Sequence, residues 1–330
     1  MKFAFKTQLE FLDHFKDEKT CYEFFEKLRW DGTPVCPHCG SLKTPYKVKA
    51  RGKFQDIPSY RCAERACDLP FTVRTKSIFE GSKIEFRKWL LAAYEISTCK
   101  KGISSVELAT RIGTSQKTAW LINHKLRAML KETEPTLLKD FAAIDETLIG
   151  GKETNKHADK KIPGSQGRSS KGKTMVIGAR GLRGQVKAQI VPDADGATIL
   201  PLVEKWISKG SIMVTDEWKS YNVVRADYFH ITVNHKEGAY VNGAFSTNGV
   251  ENLWSVLKRG IVGVFHSVSP QHLQAYVDEF SDRYNKKDLS NVERFELTIE
   301  RSPNAKLTYK QATGKRESVN AYLRSQTKTF

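Results

Sequence analysis

Two pairs of cysteines constrain the first part of this chain more than any apolar run does. Cys36 and Cys39 flank Pro37-His38 and are followed by Gly40, while Cys62 and Cys67 stand four residues apart after Tyr60-Arg61. Two thiolates at such a spacing grip one tetrahedral ion, and the glycine permits the tight turn beneath them. The pairs therefore predict two facing knuckles of a zinc ribbon, closed by Cys36, Cys39, Cys62 and Cys67. Four protein ligands leave no open position for water, so this Zn²⁺ is expected to be structural. His38 lies inside the first knuckle, where ligation alongside both neighbours strains the turn. Cys21 and Cys99 lack near partners and read as small buried apolar residues. Uneven cysteine spacing, in a chain with an intracellular look, favours metal or free thiols over disulfides.

Away from the cysteines the chain divides by period. A length of 330 residues suits two large parts and a small module. Residues 1–80 hold five of the six cysteines among short polar runs, the pattern of a small domain stapled by metal rather than by a core. From 81 to 135 the pattern is helical: Phe86, Trp89, Leu90 and Ala93, then Val106, Leu108 and Ala109, then Ala119, Trp120, Ile122 and Leu126 recur at helical spacings.

Residues 136–290 change period. Apolar runs at 141–144, 175–179, 186–191, 212–214 and 231–233 read as strands, with a helix over 197–208 between the third and fourth. Two longer periodic segments, 248–265 and 270–284, close the region, the second with Ser269 as N-cap and Pro270 at the first helical position. Three strands, a helix, two more strands and then helices describe a mixed α/β sheet in ribonuclease-H-like order. An insertion at 152–173, with seven Lys or Arg, three Gly and almost no apolar residues, reads as mobile. Residues 291–330 are expected to be a polar tail.

The charge points to a polyanion. Against 37 Asp and Glu stand 54 Lys and Arg, a formal excess of +17 that would attract nucleic acid and release its counterions. No stretch approaches the roughly 20 apolar residues of a membrane span, and Met1–Glu10 has no apolar signal core, so neither membrane residence nor export is expected. The segment from Ser104 to Trp120 has the grammar of a helix-turn-helix, with Gly113 at the turn and Ser115 as the next N-cap. Its second helix would begin near Gln116 and present Gln116, Lys117 and either Asn123 or Lys125 to DNA. A plain helical hairpin joining two domains is the bland alternative. The expected fold class is thus a multidomain α/β chain: a ribonuclease-H-like mixed sheet with flanking helices, preceded by a zinc ribbon and a helix-turn-helix.

Acidic residues give the third region its chemistry. Asp145 follows the apolar run Ala142-Ala143-Ile144, and Asp216 follows Ile212-Met213-Val214-Thr215 in the same way. A carboxylate at the end of a buried strand is costly unless a cation or hydrogen-bond donors meet it. Glu251 is the third candidate, and Lys258, seven positions later, returns to the same helical face two turns along. Seventy residues separate Asp145 from Asp216 and 34 separate Asp216 from Glu251. Three hard oxygen ligands suit a pair of Mg²⁺ or Mn²⁺ ions. Asn248 is the rival third ligand, or else a DNA contact. His235 and His266 sit in motif-like settings but read as hydrogen-bonded structural residues.

Taken together, CPHCG, YRCAERAC with FTVRTKSIFEGSK, AIDETLIGGKETNKH, VTDEWKSY, and STNGVENLWSVLKRGIVGVFH with SPQHLQAYVDEFSDRYN cover roughly residues 20–288 in order. The sequence resembles the DDE transposases of bacterial insertion sequences, in the zinc-ribbon-containing branch related to mutator-like elements. That resemblance implies hydrolysis of a phosphodiester at the ends of a mobile element, followed by attack of the freed 3′ hydroxyl on target DNA. It implies divalent ions held by Asp145, Asp216 and Glu251, phosphate binding by Lys258, and secondary DNA contacts by Asn252 and Arg259. It also implies terminal inverted repeats and target DNA as partners, a homodimer or larger assembly, and a cytoplasmic, nucleoid-associated site of action. The alternatives are a domesticated DNA-binding regulator with an inert nuclease domain, against which the presence of all three acids and the lysine speaks, and a ribonuclease-H-like nuclease of other purpose.

Overall fold

Aromatic side chains flanking the cysteine pairs, rather than the cysteines themselves, build the first core. The computed structural model of the chain describes residues 5–49, 57–132, 136–151, 157, 159, 161, 172–216, 219–233, 241–242, 245–303 and 305–314. Helices α1 (Gln8–His14) and α2 (Glu18–Trp30) come first, and a three-stranded antiparallel sheet follows, formed by β1 (Tyr46–Val48), β2 (Ser59–Arg61) and β3 (Pro70–Phe71). Helices α3 (Phe86–Thr98), α4 (Ser105–Ile112) and α5 (Gln116–Leu130) complete this stretch. Asp17 caps α2 by accepting from the Thr20 N–H at 2.8 Å. Glu85, the N-cap residue of α3, makes no side-chain cap. Instead Glu18 of α2 accepts from the backbone N–H groups of Phe86 and Arg87 at 2.9 and 2.7 Å, which satisfies two orphan donors and ties the two helices together.

The second unit, from Lys131 to Asp288, is built on a five-stranded sheet. Strands β4 (Phe141–Ile149), β5 (Thr174–Gly181) and β6 (Val186–Val191) run antiparallel, while β7 (Ile212–Thr215) and β8 (Phe229–Thr232) run parallel to β4, in the order β6-β5-β4-β7-β8. Helix α6 (Gly196–Trp206) precedes β7, and a 3₁₀ segment, Lys219–Ala226, joins β7 to β8. A short hairpin, β9 (Val241–Asn242) and β10 (Phe245–Ser246), leads into α7 (Asn248–Gly260) and α8 (Pro270–Asn285).

Alternation along β4 divides the core. Ala142 and Ile144 pack with Ile199, Leu202, Val203 and Trp206 on the α6 side, whereas Ala143 packs with Val250, Leu253, Trp254 and Leu257 of α7 on the other. Both faces are covered, so the strand shows no polar alternation. Asp145 shares the face of Ala143, beneath α7. The strand does not stop there, as the sequence led us to expect. It continues to Ile149, paired with Thr174, so Asp145 sits in mid-strand opposite Gly178.

Two domain expectations are corrected. Residues 291–330 are not simply a tail: Leu289–Gly314 belongs to the first unit and forms α9 (Asn291–Glu300) and α10 (Tyr309–Thr313). Ser290 and Glu293 make a capping box at the start of α9, which buries Phe295, Thr298 and Ile299. Nor are residues 1–80 held by metal in place of a core. Phe5, Phe11, Phe15, Phe24 and Phe25 are buried with Phe86, Tyr94 and Phe295 in one cluster. Phe11 meets Phe295 edge-on at 5.3 Å and Tyr94 at 4.5 Å. The insertion at 152–173 and the segment beyond Gly314 lie largely or wholly outside the described residues.

Because Phe295 is fully buried among these rings, Phe295→Ala is expected to cost the first unit about 3–5 kcal/mol. Thermal unfolding of the full chain checks this, and a loss no larger than that of a surface substitution on α9 would refute the placement. In the second unit, burial pushes the Asp278 carboxyl up to about 6, with Glu132 and Asp282 adding to the rise against the Gln274 hydrogen bond and Lys131. A raised acid favours the folded state at low pH, and that contribution is lost as pH rises through about 6. Asp278→Asn, which cannot ionise, should therefore raise the melting temperature at pH 8 by a few degrees, on the order of 1 kcal/mol, and the gain should fade by pH 4. An equal shift at both pH values would contradict this account.

Candidate metal centres

The thiol site is the more closely organised of two candidate centres. The Cys36 N–H bonds the Ser41 carbonyl at 3.3 Å, and the Gly40 N–H bonds the Cys36 carbonyl at 2.8 Å, closing the first knuckle at a glycine with φ +74°. The second knuckle closes through N–H groups of Cys67 and Asp68 on the Glu64 carbonyl, and Arg61 clamps Asp68 with two bonds of 2.7 and 2.6 Å. Cys36 and Cys67 lie 3.9 Å apart at sulfur, Cys39 and Cys62 3.6 Å, and all four sulfurs fall within 4.8 Å of one another. Tetrahedral zinc with Zn–S bonds near 2.3 Å requires sulfurs about 3.8 Å apart, so the four thiols fit it. Burial opposes ionisation of Cys36, but backbone N–H groups of Cys39 and His38 outweigh it and bring the thiol down to about 7. His38 stands outside the cluster, its Nε2 at 3.3 Å from the Pro70 carbonyl.

The acidic site is assembled by the sheet and α7. Trp254 lies over Gly178, where an added Cβ would come within 2.5 Å of the indole, so only glycine admits the ring. From there Trp254 Nε1 donates to Asp145 Oδ2 at 2.9 Å. Burial pushes the Asp145 carboxyl up to about 6, and the charges of Asp216 and Glu251 add to the rise against the Trp254 bond. Asp216 and Glu251 are thus each close enough to Asp145 for their charge to bear on it. The three do not converge as tightly as the thiols: among the described residues, only the four cysteines bring three or more ligand atoms within 4.8 Å.

Glu251, exposed in the first turn of α7, receives a 3.3 Å hydrogen bond from Thr247. A fourth acid, not singled out in the sequence, joins from the other face of β4. The Glu146 carboxyl accepts from the buried Tyr221 hydroxyl at 3.0 Å, and burial, Asp216 and Asp145 push it up to about 7. Its only sequence signal was its place next to Asp145.

Two family models match the regions that hold these two centres. One, described as an ISXO2-like transposase domain, matches residues 137–285, and the other, a transposase zinc-ribbon domain, matches residues 16–68. A protein of Halobacterium salinarum named as an uncharacterized protein in transposable element ISH50 is 25% identical over 280 residues, covering 82% of this chain and 91% of that protein. An uncharacterized transposase-like protein of Haemophilus influenzae is 29% identical over 108 residues, covering 32% of this chain and 86% of its own length. The chain thus carries an insertion-sequence transposase domain over residues 137–285 and a transposase zinc ribbon over residues 16–68.

The other candidate residues of the transposase fall unequally. Lys258 and Arg259 are exposed on α7, with Arg259 Nε bonded to the Ser255 carbonyl at 3.2 Å, and Asn248 and Asn252 are exposed on the same helix. Ser104 caps α4, Gly113 ends it at φ +60°, and Ser115 accepts from the Thr118 N–H at the start of α5. Gln116 and Lys117 are exposed on the first turn of α5. Asn123 and Lys125 are corrected. Asn123 is buried with Nδ2 on the Ile103 carbonyl at 3.3 Å, and Lys125 reaches the Ile78 carbonyl at 3.1 Å and lies over the Trp89 ring, so neither faces outward. His266 is exposed at φ +60° after a π-helical segment, Ile261–Phe265, that continues from α7, and His235 lies outside the described residues. No helix among the described residues is long and apolar enough to cross a membrane.

Cys36→Ser removes one of four converging ligands. Atomic absorption on the full-length transposase should then show zinc falling well below one equivalent, whereas Cys21→Ser, buried in the aromatic cluster, should leave zinc unchanged. Unaltered zinc in the Cys36 variant would discard the ligand assignment.

Proposed function

We propose that this transposase cleaves the ends of its element and joins the freed 3′ hydroxyl to target DNA, with a ribonuclease-H-like second unit as the catalytic domain. The strand order β6-β5-β4-β7-β8, three antiparallel strands followed by two parallel ones, supports that fold reading. The observation that carries the proposal is the placement of Asp145 beneath α7, bonded to Trp254, where the charges of Asp216, just past β7, and Glu251 of α7 both bear on it. Three carboxylates from three elements repel one another, and such crowding suits a cation seat better than a structural role. Three hard oxygen ligands of this kind would suit a pair of divalent ions, which in two-metal sites stand about 3.5–4 Å apart. Mg²⁺ or Mn²⁺ bound there would supply charge stabilisation for the pentavalent phosphorus and lower the barrier to attack.

The protein's own groups have separate tasks. Trp254, by donating to Asp145 Oδ2, would orient that carboxylate. Lys258, two turns beyond Glu251, would bind a phosphate near the scissile bond. Asn248 and Arg259 would contact the backbone of the same DNA. In cleavage the oxygen of water bonds to phosphorus and the 3′ oxygen leaves. In joining, the 3′ hydroxyl attacks a target phosphodiester, whose own 3′ oxygen leaves. We read α4 and α5 as a helix-turn-helix that presents Gln116 and Lys117 to the element's end, with structural Zn²⁺ holding the ribbon beside it in sequence.

Asp216→Asn should reduce Mg²⁺-dependent nicking of a duplex carrying the element's terminal repeat by at least about a thousandfold, while gel-shift affinity for that duplex stays within a fewfold. A variant that still nicks would remove Asp216 from the active site.

A further inference from the structure

One chain of hydrogen bonds runs toward Asp216 from the far edge of the sheet. Thr215, fully buried at the end of β7, donates its hydroxyl proton to the Asp216 carbonyl at 2.8 Å. A hydroxyl has one proton, so toward its other neighbour, His230 Nε2 at 2.8 Å, Thr215 Oγ1 must accept. That requires the His230 tautomer with its proton on Nε2 and an acceptor at Nδ1. Arg225 Nε donates to Nδ1 at 3.5 Å. Every donor and acceptor then points one way, from the Arg225 guanidinium through His230 and Thr215 to the backbone of Asp216. Register accounts for the contact: His230 of β8 pairs with Met213, and Thr215 is two residues further on the same face of β7.

We propose that His230 is a positioning residue for Asp216, fixing through Thr215 the backbone from which that carboxylate reaches its cation. The proposal rests on the reading of Asp216 as an active-site acid. Burial and the neighbouring Arg225 charge both lower the His230 pKa, which keeps the ring in the neutral form that the chain of donors requires. Groups that orient metal ligands without touching the metal commonly change affinity by about 10–100-fold when removed. A histidine present only to fill the edge of the sheet would change stability and leave metal affinity alone.

The test uses the full-length, zinc-loaded protein with Mn²⁺ as probe, and reads binding by electron paramagnetic resonance alongside the melting temperature. His230→Phe should weaken Mn²⁺ binding about tenfold. His230→Gln, whose amide N–H can replace Nε2–H, should return it to within about threefold, and Thr215→Val should also weaken it about tenfold, which keeps the test available where His230→Phe fails to fold. Wild-type Mn²⁺ affinity in both His230→Phe and Thr215→Val, while Asp216→Asn loses binding, would overturn the positioning role and leave the active-site reading intact. Undiminished binding in Asp216→Asn would remove both. Weakening in His230→Phe and His230→Gln alike, in step with their melting temperatures, would reduce His230 to a structural part and also overturn the proposal.

Discussion

The seating of α7 on β4 and β5 is the constraint from which the chemistry of the second unit follows. Trp254 does two things with one ring: it fills the space left open by Gly178 and delivers an N–H to Asp145. Val250, Leu253 and Leu257 bury the same face of the helix, and apolar burial of this kind stabilises by roughly 1.5–3 kcal/mol per side chain. Burial therefore sets the distance between Glu251 and Asp145. Their mutual charge could not, because it pushes them apart. An acidic site of this sort is held together by its scaffold against its own electrostatics, and it is then ready to gain energy from a cation.

The two centres illustrate different solutions to one problem. Four thiols can sit within van der Waals reach of each other while they are protonated, and knuckle N–H groups already favour the ionised form of Cys36. The ribbon can thus stand nearly in its bound geometry before metal arrives. Carboxylates carry their charge at neutral pH, so the same closeness would cost far more, and the looser spacing of Asp145, Asp216 and Glu251 follows. Glu146 reduces that crowding by turning to the opposite face of β4, where Tyr221 supplies its donor.

Much of this architecture was legible in the residues. All five long strands of the second unit and helices α6, α7 and α8 stand within a few residues of their apolar runs, because period and burial agree there. The strand end at Asp145 was misjudged for a local reason: the apolar run stops at Ile144, while pairing with β5 carries the strand on through Thr147 to Ile149. The missed core of the first unit had signals as well. Phe11 and Phe15 stand four apart, as do Phe295 and Ile299, and Asp17 and Ser290 are N-caps, yet short helices among many charges look like solvated segments until their shared rings are seen. Asn123 and the Thr215–His230 contact were not legible at all. Each depends on a partner brought close by tertiary packing or strand register, the carbonyl of Ile103 in one case and the neighbouring strand in the other.

The stretch FTVRTKSIFEGSK shows how a motif that marks a family can be architectural rather than chemical. Arg74 within it is buried and gives its guanidinium protons to the carbonyls of Phe79 and Ser82 at 2.9 and 3.0 Å and to the Tyr22 hydroxyl at 3.1 Å. Arg29 of α2 reaches the carbonyls of Val73 and Thr75 in the same turn, and Glu26 of α2 accepts from Tyr60 of the ribbon at 3.0 Å. The ribbon is therefore fastened to α2, whose Trp30 also packs against Tyr60 and Phe71. An arginine is suited to this work because its five donors can reach several carbonyls of one tight turn at once. Lysine at position 74 would keep the charge and lose most of the bonds, so the identity of this residue is dictated by the turn it closes and requires no contact with DNA.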